Sequence, residues 1–101
     1  MPDLFNKIEV WGEIRGIYSS GNVKNQMVKL MEETGELARA ILKGDKELIK
    51  DSLGDSVVVL VSIAKMSGFN LEECIQSAYN EISSRTGKME NGDFKKTEAN
   101  H

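Results

Sequence analysis

Acidic side chains recur at helical spacing in two places, and they are the best candidates for chemistry in this chain. Glu33 and Glu36 are three residues apart, so in a helix their carboxylates lie on neighbouring rows of one face. Asp51 and Asp55 are four residues apart and share a face in the same way. Carboxylate oxygens are the ligands that hard cations require. The two pairs therefore predict a Mg²⁺ site, with Mn²⁺ as the alternative ion, if the fold brings them together.

Several other chemistries are excluded by residue type. The chain has one cysteine, Cys74, so it has no internal disulfide, and its one histidine, His101, excludes a His-rich zinc site. Gly12 and Gly16 are not part of a Gly-rich phosphate loop. The acidic pairs therefore remain as the main candidates for function.

Charge and hydropathy limit the partners of this chain. Thirteen Lys and Arg against sixteen Asp and Glu give a net charge of -3, which leaves no broad basic field for nucleic acid. The uncharged run at 56–64 is far shorter than the roughly 20 apolar residues of a membrane span. We expect no nucleic-acid partner, no membrane partner and, with one cysteine, a reducing cytoplasmic location.

Glycines and capping residues divide the chain into helices that must position the acids. The breaks fall at residues 19–22, at Gly44-Asp45 and at residues 68–70. Apolar residues between them recur at steps of three and four. We predict an all-α fold of four helices, and assign residues 1–88 to this helical domain and 89–101 to a polar tail with too little apolar surface to fold alone. The predicted helices cover residues 4–18, 23–43, 45–67 and 71–85.

The third predicted helix is apolar on every side over residues 57–64. A surface helix keeps one polar face, so this segment should be surrounded by other elements. A chain of 101 residues has little material with which to surround a helix completely. We therefore predict that a second copy completes the bundle, as a homo-oligomer that is a dimer or a tetramer.

An antiparallel pair of helices would bring the two acidic pairs level with each other. Residues 33–36 and 51–55 both lie roughly ten residues from the turn at Gly44-Asp45, or about 15 Å along a helix. Gly35 and Gly54 lie beside them and indicate a close helix approach or room for a ligand. A second interpretation stays open, in which the acids are simply solvated and Lys29 pairs with Glu33 one turn away.

Two stretches resemble the MazG-like family of all-α nucleoside triphosphate pyrophosphohydrolases. Residues 30–38 read LMEETGELA and residues 51–57 read DSLGDSV, close to the family pattern of E-E-x-x-E followed by E-x-x-D and an apolar run. The similarity extends over about residues 4–88. It implies an oligomeric helical bundle that binds Mg²⁺ and hydrolyses a (deoxy)nucleoside triphosphate to the monophosphate and pyrophosphate.

The resemblance also implies roles for individual acids. Glu33 and Glu36 match the first acidic pair of the pattern, and Asp55 matches its final Asp. The Glu of E-x-x-D is replaced here by Ser52, so one expected metal ligand is missing. Asp51 is the candidate replacement, although its direction differs from that of residue 52 by about 100° around the helix. Glu32 or Glu36 would be the catalytic base that activates water.

Substrate-binding roles follow from the same resemblance. Trp11 corresponds to an aromatic residue near the base, and Asn80 and Arg85 correspond to polar residues that meet the phosphates. Lys29 is a further substrate-binding candidate, and Lys88 would join Arg85 in offsetting the charge of the pyrophosphate.

The substitution at Ser52 leaves two other functions open. The chain could be a non-catalytic helical module that senses a nucleotide or binds a protein partner after losing one metal ligand. It could also be a structural helix-pairing protein whose acids are only solvated.

Overall fold

The computed structural model describes residues 3–97 of the chain. These residues divide into two compact units, one that extends to Leu71 and one that starts at Glu72. The elements are α1 (Leu4–Ile14), α2 (Ile17–Ser20), α3 (Val23–Lys43), α4 (Lys46–Met66), α5 (Leu71–Ile82), β1 (Gly87–Glu90) and β2 (Asp93–Lys96). The mainly helical fold agrees with the all-α prediction, and the two short strands were not expected.

Helices α3 and α4 form the hairpin that the capping residues predict. The side chain of Asn22 accepts hydrogen bonds from the backbone N–H groups of Lys24 and Asn25 and so begins α3. Gly44 ends α3 in the left-handed conformation, at φ 69°. Asp45 then accepts a hydrogen bond of 3.1 Å from the N–H of Leu48 at the start of α4. These predictions are confirmed.

The predicted helix over residues 4–18 is wrong in one respect, because it is interrupted. Gly16 has φ 73°, a left-handed value that ends α1 and lets the short helix α2 begin in a new direction. The Tyr18 ring then lies against Gly12, where an added Cβ would overlap it. The Tyr18 hydroxyl donates to the carbonyl of Ile8 at 3.4 Å. The structure therefore has five helices instead of four.

The core of the first unit lies between α3 and α4, with α1 and α2 packed against α4. The buried hydrophobic residues of this core are alanines and valines, which have small side chains. Part of the apolar run on α4 is open, because Val57 and Leu60 are 38% and 37% exposed. The chain itself therefore does not surround this helix. The buried residues on α3 and α4 are Ala40, Ser52, Ser56, Val59, Val61, Ser62 and Ala64.

The second unit contains a β-hairpin where the sequence predicts a polar tail. Strands β1 and β2 pair antiparallel, with Met89 opposite Phe94 and Lys88 opposite Lys95. The turn between them is Asn91-Gly92, and both residues have positive φ, at 52° and 84°. The two strands were not predicted, and the assignment of residues 89–101 to a polar tail that does not fold alone stays a prediction. Residues 98–101 of the predicted tail lie outside the described part of the chain.

No helix within residues 3–97 is by itself both long enough and apolar enough to cross a membrane. Helices α4 and α5 meet both criteria only when they are counted together as one bent segment. This result rests on their length and composition alone. The cytoplasmic location stays a prediction.

Candidate functional site

The acidic segment of α3 lines an open groove. Its volume is about 420 Å³, and three carboxylates and one guanidinium contribute to its wall. The groove runs along one face of α3, where residues three and four apart are neighbours. The residues that line it are Met31, Glu32, Glu33, Gly35, Glu36 and Arg39.

Glu33 is the carboxylate of this groove that its surroundings affect most clearly. The residue is partly buried, and removal from water raises the pKa of its carboxyl above the ordinary value. The negative charges of Asp55 and Glu36 raise this pKa further, and that of Glu32 adds a smaller effect. The positive charge of Lys29 acts in the opposite direction. The charge of Asp55 on α4 thus acts on Glu33 on α3, and the predicted gathering of all the acids stays a prediction.

The register of the α3–α4 hairpin explains this approach. Glu33 lies eleven residues before Gly44, and Asp55 lies eleven residues after it. Glu36 and Ser52 lie eight residues before and after the same glycine. In an antiparallel hairpin such positions are level, so the charge effect of Asp55 on Glu33 fits this register. By the same count Ser52 is level with Glu36.

Ser52 is the residue of its helical turn that faces inward. It is 1% exposed, whereas its neighbours Asp51, Leu53 and Gly54 are exposed. Its Oγ atom is buried and has no hydrogen-bond partner within residues 3–97. One turn later the hydroxyl of Ser56 does have a partner, because it donates to the Ser52 carbonyl at 2.7 Å. An unpaired buried hydroxyl is costly and needs an explanation.

Asp51 and the other predicted metal ligands differ in what surrounds them. Asp51 is exposed, and it is not among the charges that raise the pKa of Glu33. Asp55 is also exposed but acts on Glu33 from across the hairpin. In the described range, no three His, Cys, Asp or Glu side chains are gathered closely enough to hold a metal ion. The metal-ligand assignments therefore stay predictions, with Asp51 the least supported by position.

Two positively charged side chains lie on α3 near its acids, those of Lys29 and Arg39. Lys29 affects Glu33 through its charge, but no ion pair within 4.0 Å joins these two described residues. Arg39 lines the groove with the acids, and its guanidinium is the atom group nearest to a Cβ built on Gly35, at 4.0 Å. Arg39 was not predicted as a site residue, although its place three residues after Glu36 on the same helix puts it on the same face.

The two glycines beside the acids do not mark a close helix approach within the chain. A Cβ built on Gly54 meets nothing within 4 Å, and one built on Gly35 meets only Arg39. The expectation of a tight contact between helices at these positions is wrong. The open space beside them remains available to a ligand or a second molecule.

Trp11 lies in a different groove, between α1 and α4. It lines a space of about 250 Å³ together with Lys7, Ile8 and Val58. The Arg15 guanidinium lies over the indole ring, 4.6 Å from its centroid. Trp11 is thus partly open beside an apolar groove, which fits its predicted role near a base.

The remaining predicted substrate contacts all belong to the second unit. Arg85 forms an ion pair of 2.9 Å with Glu81 on the exposed side of the chain. Asn80 accepts a hydrogen bond of 3.1 Å from the Gln76 side chain. Lys88 lies on β1 opposite Lys95. Their predicted contacts with phosphate are not tested by this geometry.

A comparison with protein families identifies the relationship. The profile of the MazG nucleotide pyrophosphohydrolase domain matches residues 22–89, more than half of the chain. The chain belongs to this family. The MazG match begins at Asn22, the cap of α3, and ends inside β1. It therefore includes both acidic segments and excludes Trp11.

A curated relative supports the MazG assignment without adding a known activity. It is an uncharacterised 18.2 kDa protein of the rep-hol intergenic region in Haemophilus phage HP1. The two sequences are 40% identical over 67 residues, which cover 66% of this chain and 41% of the phage protein. The chain thus spans about two fifths of the length of that relative. No solved structure matches the chain.

Proposed function

We propose that this chain is a Mg²⁺-dependent nucleotide pyrophosphohydrolase. Its substrate would be a (deoxy)nucleoside triphosphate, and its products the monophosphate and pyrophosphate. The observation that supports this function most strongly is the approach of Asp55 on α4 to Glu33 on α3. This approach occurs in the segment that matches the MazG domain.

The donor set of the site fits a hard divalent cation. Glu33, Glu36 and Asp55 offer only carboxylate oxygens, and burial together with the negative charges of Asp55 and Glu36 raises the pKa of Glu33. These three residues would hold the ion, and Asp51 is a further candidate. When bound, Mg²⁺ neutralises phosphate charge and lowers the pKa of a water molecule.

A carboxylate that is not occupied by the ion would act as the general base. Glu32 and Glu36 are the candidates, and both line the groove on α3. The base accepts a proton from the water that attacks the α-phosphorus. A bond then forms between the water oxygen and this phosphorus, and the bond to the bridging oxygen breaks. Pyrophosphate leaves with the bonding electron pair.

Cations on α3 would bind the phosphates beside the acids. Lys29 and Arg39 are placed on this helix, close to Glu33 and to the groove respectively. A guanidinium can bind two phosphate oxygens at once, so Arg39 is suited to orient the triphosphate. Asn80, Arg85 and Lys88 remain further candidates, and Trp11 would stack on the base in its own groove.

A second copy of the chain would cover the apolar side chains that one copy leaves open. On α3, Met31 is 65% exposed, Ile41 is 60% exposed and Leu42 is 87% exposed. Leu53 on α4 is also exposed, and so many open apolar side chains are unusual for a stable monomer. Analytical ultracentrifugation tests this part of the proposal, because it predicts a dimer or tetramer at micromolar concentration. A single 11.2 kDa species would contradict it.

The catalytic proposal is tested by replacing Glu36. We expect Glu36→Gln to lose pyrophosphate release by about 100-fold or more, because a ligand or base is removed. Far-UV circular dichroism should show that the helices remain. Glu47→Gln, at the exposed start of α4, is the matched control and should retain activity. Unchanged turnover in Glu36→Gln would contradict the proposal.

The substitution at Ser52 favours one second candidate, a nucleotide-sensing module without catalysis. Incubation with a panel of nucleoside triphosphates and Mg²⁺ separates the two functions. Monophosphate and pyrophosphate in equal amounts support the enzyme. Binding of a nucleotide with no product supports the sensor.

A further inference from the structure

Ser52 differs from the other buried serines of α4 in the hydrogen bonding of its hydroxyl. Within residues 3–97 its Oγ has no hydrogen-bond partner, whereas the hydroxyls of Ser56 and Ser62 donate to backbone carbonyls four residues earlier. A buried hydroxyl without a partner costs free energy that an alanine at the same position would not cost. The position therefore gains nothing in stability from being serine.

The surroundings of Ser52 indicate what its hydroxyl could serve. Asp55 lies three residues later on α4, and helical side chains lean toward the N-terminus, so Asp55 leans over the turn that contains Ser52. Because α4 packs mainly on α3, we take the buried side of α4, which includes Ser52, to face α3. There Glu36 is level with it, and Glu33 is one turn further along. By register, the small, neutral hydroxyl of Ser52 thus lies at about the same level along the hairpin as these acids.

We infer that Ser52 is a positioning residue for the divalent cation site, and that its hydroxyl donates a hydrogen bond to the Glu36 carboxylate, directly or through one water. This inference rests on the proposed function and adds a residue to it. The donated bond would hold Glu36 in the orientation that the cation needs, in the way that groups behind metal ligands orient them. In this role Ser52 stands where the family pattern has a carboxylate, and Asp51 stays a further candidate ligand.

The test is the affinity of the full chain for Mn²⁺, measured by isothermal titration calorimetry without nucleotide. We expect Ser52→Ala to weaken Mn²⁺ binding by about 10-fold, within the 10- to 100-fold range seen for groups behind metal ligands. The same variant should melt at the same temperature as the unchanged chain, or higher, when no metal is present, because it removes an unpaired buried hydroxyl. If Ser52 had only a structural role, Ser52→Ala would not combine weaker Mn²⁺ binding with an unchanged or higher melting temperature.

Two further variants make the result specific. Ser52→Thr keeps a hydroxyl and should retain Mn²⁺ affinity closer to the original than Ser52→Ala does. Ser56→Ala is the matched control one turn away, since its hydroxyl already has a partner, and it should leave Mn²⁺ affinity unchanged. Equal affinity in Ser52→Ala and the unchanged chain would overturn the role of Ser52 alone. Absence of Mn²⁺ binding by the unchanged chain would overturn the cation site as well.

Discussion

The α3–α4 hairpin and the second unit differ in how far each is stabilised by its own residues. The hairpin contains buried residues on both helices, and they include Ala40 and Val59. In the second unit every described residue from 72 to 97 is exposed, including the apolar Tyr79 and Phe94. An isolated two-stranded hairpin is at best marginally stable in water. The comparison indicates that α3 and α4 are stabilised by buried packing, whereas residues 72–97 bury no side chain of their own.

This difference bears on the two groups of predicted site residues. Glu33 and Asp55 lie on α3 and α4, which pack on each other within one chain, so both of these proposed ligands would come from the same copy. Asn80, Arg85 and Lys88 lie on elements without buried residues of their own.

The largest expected effect compares one acid of the hairpin with one cation of the second unit. Asp55→Asn should lower kcat/KM by about 100-fold or more, because the charge of a metal ligand is lost. Arg85→Ala should lower it by less than about 10-fold, since its exposed pair with Glu81 holds it weakly in place. Asp51→Asn should lower kcat/KM by a smaller factor than Asp55→Asn does. Steady-state kinetics of pyrophosphate release measures all three, and equal losses in Asp51→Asn and Asp55→Asn would contradict the distinction.

The next effect concerns stability. Val59→Ala removes two methyl groups from the buried face of α4 and should lower the free energy of unfolding by about 2 kcal/mol. Phe94→Ala removes a larger but exposed ring and should cost about 0.5 kcal/mol, the scale of one cross-strand pair. Urea unfolding followed by circular dichroism gives both values. A greater loss for Phe94→Ala would mean that the second unit has a core of its own in solution.

The pH dependence of stability tests the environment of Glu33. Because burial and nearby acids raise its pKa in the folded chain, the folded state binds more protons between the ordinary and the raised value. Without metal, stability should therefore fall as pH rises through this interval. Glu33→Gln should melt a few degrees higher at pH 7.5. This difference should vanish as the pH falls below the ordinary value of 4.5.

The same melting curves include their own control. Glu47→Gln, at the exposed start of α4 and outside the groove, should not melt higher than the unchanged chain at pH 7.5. If the melting temperatures of Glu33→Gln and the unchanged chain differed by the same amount at every pH, the fold would not raise the pKa of Glu33.

The smallest expected effect compares two glycines with open space around them. Neither Gly54 nor Gly92 has an atom within 4 Å of a built Cβ, but Gly92 has φ 84°. Gly54→Ala should stabilise α4 by about 0.5–1 kcal/mol, and Gly92→Ala should destabilise the turn by about 1 kcal/mol. Thermal unfolding measures both. A loss of stability in Gly54→Ala would show that a second copy fills the space beside α4.

Helix-capping residues were sufficient to predict the α3–α4 hairpin. Counting residues from its turn was sufficient to predict which acids lie at the same height along the two helices. The caps at Asn22 and Asp45 and the left-handed Gly44 follow from residue type, and counting from Gly44 brings Glu33 level with Asp55. The break at Gly16 was missed because a glycine inside a helical pattern does not by itself reveal whether its φ is positive.

The second unit shows a different limit of prediction from sequence. The turn signal Asn91-Gly92 was present, but the polar composition of the segment was given more weight. The burial of Ser52 depends on which side of α4 faces α3, and helical periodicity alone does not fix this angle. Arg39 was overlooked because it is exposed and its role depends on the shape of the groove.

The most direct measurement is the anomalous scattering of Mn²⁺ in a crystal of the full chain. The proposed site predicts a peak between α3 and α4 with carboxylate oxygens of Glu33, Glu36 and Asp55 at bonding distance, and with the Ser52 hydroxyl behind Glu36. A crystal grown in saturating Mn²⁺ with no peak there, and with these three carboxylates directed into solvent, would contradict the cation site and the hydrolytic function built on it.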